Sequence, residues 1–388
     1  MQVPATKPFF SENDIDYVTR HFSEILRGNS FLSMSRYGEE FEEKFASYVG
    51  TKHAVACNSG TSALELIFRA IGVKGKEVII PSNTFLATAI AVINAGASPV
   101  FADCGDNMSL DSEDAAGRIT PLTAAITQVH IGGIVSKSTL EIQKICNAKN
   151  IHLIEDAAQA HGSMLNDIKA GAIGTGAGFS FFSTKVMTTG EGGIVTTNDD
   201  SLAEKMKSMR EFGKIKRGIY TNFHTSFGYN WRMPEVSALL GLRQLNSIES
   251  FIKRRQVIAK IYDEEFNGLS DIHIIHPERN SVNNYFKYIV VLPNHDRVKV
   301  HRELEKAAIS PSGYVYEIPL HKLPLFPKAN KLSLPKTEYL CSRHMCLPVF
   351  YSMTDSQAQY VADTFKKILK SKSNMLSTHK ESNLPVKI

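Results

Sequence analysis

The 388-residue chain holds five cysteines, Cys57, Cys104, Cys146, Cys341 and Cys346, with no Cys-x-x-Cys pair among them. An odd, scattered set excludes a disulfide scaffold, and a reducing cytoplasm is the compartment expected. Excess charge is scarce too: 44 Lys and Arg face 39 Asp and Glu, a net of +5. That excess does not argue for nucleic acid and suits an anionic small molecule. The 13 histidines show no metal-ligand spacing with carboxylates or cysteines, and no Gly-x-x-x-x-Gly-Lys run occurs, so neither a metal nor a P-loop is expected. Long hydrophobic runs are missing as well. The longest uncharged stretch, Pro81 to Ala102, is cut by Asn94, Gly96, Ser98 and Pro99 and reads as buried helix then buried strand, not as a membrane span. Met1 to Asp14 has no basic segment followed by an apolar core, so no export signal or membrane partner is expected.

What is present is enough chain for two to three domains. From Lys52 to Thr197, short β-rich apolar runs alternate with helical segments, the mark of a parallel α/β sheet covered on both faces. Strands are expected at 54–57, 78–80, 99–102, 125–129, 152–155, 178–182 and 193–197. Helices are expected at 61–71, 85–95, 112–118 and 139–149, the last with Ser138 as N-cap. Beyond Asn246 a basic helix from Glu249 to Phe266, a strand at Tyr285 to Leu292 and helices at 297–308 and 355–369 suggest a smaller α/β domain. The expected division is 1–245, 246–370 and a polar tail, 371–388, expected to stay disordered. Ligands of such sheets gather at the carboxyl ends of the strands, here the loops after Cys57, Ile80, Glu155 and Phe182.

Those loops carry the candidate chemistry. Asn58-Ser59-Gly60-Thr61-Ser62 lies between a strand and a helix, where free N–H groups and hydroxyls at the helix N-terminus form a phosphate cup, or simply a cap and turn. Glu155-Asp156 ends a buried strand, where a carboxylate needs a positive partner; the alternative is a capping Asp. Lys185 follows the apolar Phe179-Ser180-Phe181-Phe182 and precedes the Gly-rich Gly190-Glu191-Gly192-Gly193. Desolvation there would lower its amine pKa and favour attack on carbonyls, whereas a lone lysine at a strand end can simply reach solvent. Gly174-Thr175-Gly176-Ala177-Gly178 precedes a strand instead of opening a helix and is not a dinucleotide fingerprint.

Taken in order, these segments, with Phe41-Glu42-Glu43-Lys44-Phe45, Phe227-Gly228-Tyr229-Asn230-Trp231-Arg232-Met233 and Pro319-Leu320-His321, resemble the DegT/DnrJ/EryC1/StrS family of fold-type I pyridoxal-phosphate sugar aminotransferases. The resemblance implies a seven-stranded, mostly parallel large domain with a smaller C-terminal α/β domain, and pyridoxal 5'-phosphate as cofactor. It assigns Lys185 to the Schiff base and proton transfer, Asp156 to the pyridine nitrogen, Gln159 to the phenolic oxygen and Phe85 to ring stacking. Gly60, Thr61, Ser62 and Ser180 would hold the phosphate, and Asn230 would cross to a partner's cofactor phosphate, implying a homodimer with shared sites. His161 is expected to be a packed, hydrogen-bonded histidine. On the substrate side stand Lys214, Arg217, Tyr316 and His321, each with a structural alternative. Two departures from the family pattern bear on that side: Phe212 stands where Arg-x-His-Gly has histidine, and Glu317 where Tyr-Pro has proline.

The function implied is amino transfer from an amino acid, expected to be L-glutamate, to a keto group on a nucleotide-linked deoxysugar, for polysaccharide or glycoconjugate synthesis. Two alternatives stay open: a non-nucleotide ketone such as a keto-cyclitol or keto-phosphate as acceptor, or a non-catalytic cofactor-binding regulator. Retention of Lys185 argues against the dehydratase branch, which has histidine there.

Overall fold

The structure is a computed structural model describing residues 1–371 and 374–376, and only the backbone of residues 220 and 221. All seven expected strands form: β1 (His53–Cys57), β2 (Glu77–Pro81), β3 (Ser98–Ala102), β4 (Thr123–Val129), β5 (His152–Asp156), β6 (Gly176–Ser180) and β7 (Gly193–Thr197). They make one sheet in the order β1-β7-β6-β5-β4-β2-β3. Only β7 runs against its neighbours β6 and β1, so the other six present their carboxyl ends at one edge. Near-continuous apolar runs such as Val78-Ile79-Ile80 suit strands covered on both faces. One face packs Phe41, Phe45, Phe179 and Phe181, and the other packs Leu64, Leu66, Ile67 and Phe68. Each such side chain contributes about 1.5–3 kcal/mol on burial.

The helix α1 (Gly60–Ala70) follows β1 directly, and Ser59 caps it by accepting from Ser62 N–H at 3.1 Å. It lies close on β6: a Cβ at Gly178 would come within 2.9 Å of Leu64 Cδ2, so the glycines of β6 admit the helix. That packing brings the N-terminus of α1 beside the end of β6. The helix Lys137–Lys149 begins two residues earlier than expected, and its cap is Ser136, which accepts from Ser138 N–H at 3.3 Å. Ser138 therefore sits inside the first turn.

A further helix, α2 (Leu86–Asn94), follows β2, and the long α3 (Glu235–Phe266) runs through residue 245, where the division between domains was expected. Its C-terminal half packs Tyr262 and Phe266 with Tyr288, Val290 and Phe365 around a three-stranded antiparallel sheet, β8 (His273–Ile274), β9 (Tyr288–Val291) and β10 (His344–Leu347). Val3 joins this cluster and pairs with Ile309, so the first residues of the chain pack with the last domain. The expected tail 371–388 lies outside the described residues except for 371 and 374–376, where Asn374 and Leu376 hydrogen-bond to Asp296 and Asn294.

Candidate active site

The loops at the carboxyl edge enclose a cleft of about 460 Å³, closed on one side by Phe286, Lys287 and residues 314–316 of the smaller domain. Gly60, Thr61, Phe85, Asp156, Gln159, Ser180, Lys185 and Tyr316, each expected at the site, all line it. A second cleft of about 480 Å³ beside Glu39, Glu42 and Glu43 includes none of the expected site residues; there Arg210 is held by Glu42 and the Ala56 carbonyl.

Strand alternation sends the neighbours Glu155 and Asp156 to opposite faces. Glu155 is fully buried and accepts from Gly171 N–H at 2.8 Å, Ile173 at 2.8 Å and Gly174 at 2.7 Å, with His130 Nε2 at 2.9 Å. Burial alone would raise its pKa, but these partners bring it below the ordinary value. The positive partner expected for the pair is thus replaced, at Glu155, by a ring of donors, three of them backbone N–H groups of the segment 171–174.

Asp156 faces the cleft. Its Oδ2 accepts from Thr88 Oγ1 at 2.7 Å and its Oδ1 from Ala158 N–H at 3.2 Å. Burial pushes its pKa up, and Thr88, Ala158 and Lys185 offset only part of that. A carboxylate in this state gains from a cation placed against it.

Lys185 sits in a loop tied off by the Phe182–Gly190 bridge and by Thr188 Oγ1 donating to the Phe181 carbonyl at 2.9 Å. Burial lowers its pKa to about 8, Asp156 opposes this, and Lys287 adds to it. Its Nζ has no hydrogen-bond or ion-pair partner among the described residues and lies 4.9 Å from the Phe286 ring centroid. The result is an amine with an appreciable neutral fraction near neutrality, held in a cleft.

Beneath Lys185, His161 is buried, with ring centroids 5.4 and 5.5 Å from those of Phe179 and Phe181. It is packed as expected, but neither ring nitrogen makes a hydrogen bond of good geometry, the Ser180 backbone being the polar group that acts on it. Burial, then the Lys185 charge, pushes its pKa from 6.5 to about 3. A folded state that resists protonation loses stability as the pH falls below 6.5, where the unfolded chain takes up the proton, until about 3. Between pH 7 and pH 5 this histidine costs about 2 kcal/mol. His161→Phe should therefore lose less stability over that interval than the parent, by about that amount, in urea melts at the two pH values; equal losses would exclude His161 as the group responsible.

The phosphate cup is drawn together by backbone approach. A Cβ on Gly60 would lie 2.7 Å from Ser180 Cβ, so only glycine lets the helix start against the end of β6. Gly60, Thr61 and Ser180 face the cleft, joined by Ser59. Ser62 does not face it: its N–H and hydroxyl are engaged by Ser59 Oγ at 3.1 and 2.9 Å, so it serves the cap. Phe85 is 65% exposed, which excludes a core role for its ring. Its centroid lies 6.4 Å from that of Tyr316. Gln159 accepts from Gly132 N–H at 2.8 Å and donates to Tyr316 Oη at 2.6 Å, leaving one amide hydrogen free.

Four expected residues lie elsewhere. His321 is buried, with Nδ1 2.7 Å from Ser82 Oγ and Nε2 3.1 Å from Glu338, and it fastens the loop after β2 instead of meeting a substrate. Lys214 and Arg217 lie on an exposed hairpin, Lys214–Arg217 with Tyr220–His224, and Asn230 is exposed beside it, bridged to Glu211. None of these three lines this chain's own cleft. Sequence reasoning missed Thr88, Phe286 and Lys287. Thr88 was within reach, since it follows Phe85 by one helical turn; no local signal marks the other two.

These residues suit pyridoxal phosphate. Asp156 is a buried carboxylate that lacks a cation, Lys185 an unpaired amine of lowered pKa, Phe85 an apolar face left open, and Gly60 a position where backbone N–H groups stay accessible.

The chain resembles known proteins over nearly its whole length. It is 31% identical to GDP-perosamine synthase of Vibrio cholerae, over 94% of this chain and 98% of that one. It is 32% identical to the UDP-N-acetyl-3-dehydro-alpha-D-glucosamine 3-aminotransferase of Acidithiobacillus ferrooxidans, over 91% and 94%. Among solved structures, the PMP form of Spr1654 from Streptococcus pneumoniae superposes with a TM-score of 0.87 at 27% identity, covering 95% of this chain and 98% of that one. The fold is fold-type I and the cofactor is pyridoxal phosphate. Because the model of one family matches residues 13–366, through both domains and every loop that lines the cleft, the chain belongs to the DegT/DnrJ/EryC1/StrS aminotransferase family.

Proposed function

We propose that the enzyme takes an amino group from L-glutamate and delivers it to the keto carbon of a nucleotide-linked deoxysugar, in polysaccharide or glycoconjugate synthesis. The observation that carries the reading is the convergence of an unpaired Lys185 amine and the Asp156 carboxylate in one open cleft, in a chain whose long-range relatives are named for GDP- and UDP-linked sugars. Bound pyridoxal phosphate supplies an electron sink for the pair left when a C–H bond breaks next to the transferred nitrogen. Lys185 Nζ would take that proton and deliver it to the carbon on the other side of that nitrogen, then run the same transfer in reverse on the acceptor. Asp156 holds a proton on the pyridine nitrogen, where its own burial makes a cationic partner favourable. Backbone N–H groups of Gly60 and Thr61 bind phosphate at the N-terminus of α1, and Phe85 keeps water from one face of the ring. The test is release of 2-oxoglutarate from L-glutamate by the cofactor-loaded enzyme, followed by amination of a panel of nucleotide keto-sugars. An enzyme that releases none would sink the donor assignment, and one that aminates only non-nucleotide ketones would sink the acceptor assignment.

We further propose a homodimer in the cytoplasm. All five cysteines are free and buried, and no described helix is long and apolar enough to cross a membrane. Ile219 and Phe227 are almost wholly exposed next to Asn230 and the Lys214–Arg217 strand, an apolar surface that a second copy would cover while bringing Asn230, Lys214 and Arg217 to its cleft. Mixing inactive Lys185→Ala subunits with inactive Asn230→Ala subunits should then rebuild one intact site per mixed dimer, restoring about one quarter of parental activity. No recovery after verified subunit exchange would mean that Asn230 does not act across an interface.

A further inference from the structure

Lys287 just precedes β9, and the reaction proposed above assigns it no role. Its N–H donates to the Gly132 carbonyl at 3.3 Å, and its Nζ donates to the Ser312 carbonyl and, at 2.8 Å, to Ser312 Oγ. The amine lines the same cleft as Lys185, and the two lie 5.3 and 4.9 Å from the centroid of one ring, Phe286. No carboxylate pairs with Lys287 among the described residues, and Arg255 adds a second positive field. Half-buried cations are ordinarily matched by an anion, and here two ammonium hydrogens are spoken for by neutral oxygens and the third is free. The protein thus holds an uncompensated positive charge in the cleft that holds the Lys185 amine.

From this arrangement we infer that Lys287 is the anchor for a carboxylate of the amino donor. The inference rests on the aminotransfer reading, and the chemistry of the two half-reactions selects the ligand. Any amino-acid donor places a carboxylate two bonds from its reacting nitrogen, whereas a keto-sugar is neutral around its reacting carbon and carries its phosphates beyond the ring. A fixed cation in the Lys185 cleft therefore favours the donor when both substrates compete for it. Ser312 acts as a positioning residue, fixing the Lys287 amine by two hydrogen bonds.

The test is equilibrium binding of glutarate, an unreactive dicarboxylate, to the cofactor-loaded full chain by calorimetry, with GDP and UDP titrated in parallel. Lys287→Met should weaken glutarate binding by about tenfold or more and leave the nucleotides unaffected, while Lys287→Arg recovers most of the loss. In turnover, the KM for L-glutamate should rise by a similar factor with kcat little changed. Loss of nucleotide binding instead would assign the charge to the diphosphate and overturn the inference, as would unchanged glutarate binding or an Arg variant as weak as Met. A parent enzyme that binds glutarate yet releases nothing from glutamate would overturn the proposed reaction while leaving this anion site standing.

Discussion

Lys185→Ala should lower kcat by about 10⁴-fold or more, since in the proposed reaction one side chain supplies both the nucleophile and the proton carrier. The expected loss is chemical and not structural. Lys185 Nζ makes no hydrogen bond or ion pair among the described residues, and its contact is with the Phe286 ring. The loop that carries it is fastened by backbone and by Thr188, not by the lysine. Truncation also removes an amine whose pKa burial has already lowered to about 8, so the fold gives up no favourable charge. At pH 7 the cofactor-free variant should melt at or above the parent's temperature, because the buried amine takes up its proton less readily than in the unfolded chain. The visible absorbance of the lysine-bound cofactor should vanish, while the phosphate cup, built from Gly60, Thr61 and Ser180, continues to retain it. Residual turnover within tenfold of the parent would remove Lys185 from the chemistry.

Asp156→Asn should cost about 10²–10³-fold in kcat, the scale for removing one preorganised electrostatic group from an active site. One of the two contacts survives unchanged, because the amide oxygen can still accept from Ala158 N–H, while the amide NH2 takes the place of the oxygen that accepted from Thr88 and requires the Thr88 hydroxyl, which also pairs with Thr84, to turn and accept. What disappears is the charge proposed to keep the pyridine nitrogen protonated. Stability should move the other way. A carboxyl whose folded pKa is raised by burial takes up protons on folding, so the parent protein loses stability as the pH rises from the ordinary 3.8 through the folded value. Above that range the cofactor-free Asp156→Asn protein should melt at or above the parent's temperature. With pyridoxal phosphate bound, the order should reverse, because only the parent gains the ion pair. Calorimetric scans at pH 7 with and without cofactor read both signs, and a variant less stable in both states would argue that Asp156 is a structural carboxylate like its neighbour Glu155.

That neighbour shows where reading a chain by its local pattern stops. Glu155 and Asp156 are adjacent, and the motif alone gives both the same need for a positive partner. Strand pleating separates them, sending one to a ring of backbone donors 16 to 19 residues away and the other to a cleft. His321 is a similar case: its motif pointed to substrate, but its ring is consumed by Ser82, 239 residues away. The resemblance places Ser62 in the phosphate cup, yet its N–H belongs to the Ser59 cap.

Local sequence was sufficient for the seven strands and the helix at 355–369, because hydrophobic period is written within a few residues, whereas singling out Lys185 and Asp156 as site candidates took the order of motifs along most of the chain. Folding alone could decide which face each side chain takes, that Thr88 serves Asp156 from 68 residues away, and that Phe286 and Lys287 close the cleft from the other domain. Those outcomes depend on how close two backbones can come, as at Gly60 and Ser180, and on which buried charges find partners, and neither quantity is carried by any short stretch of chain.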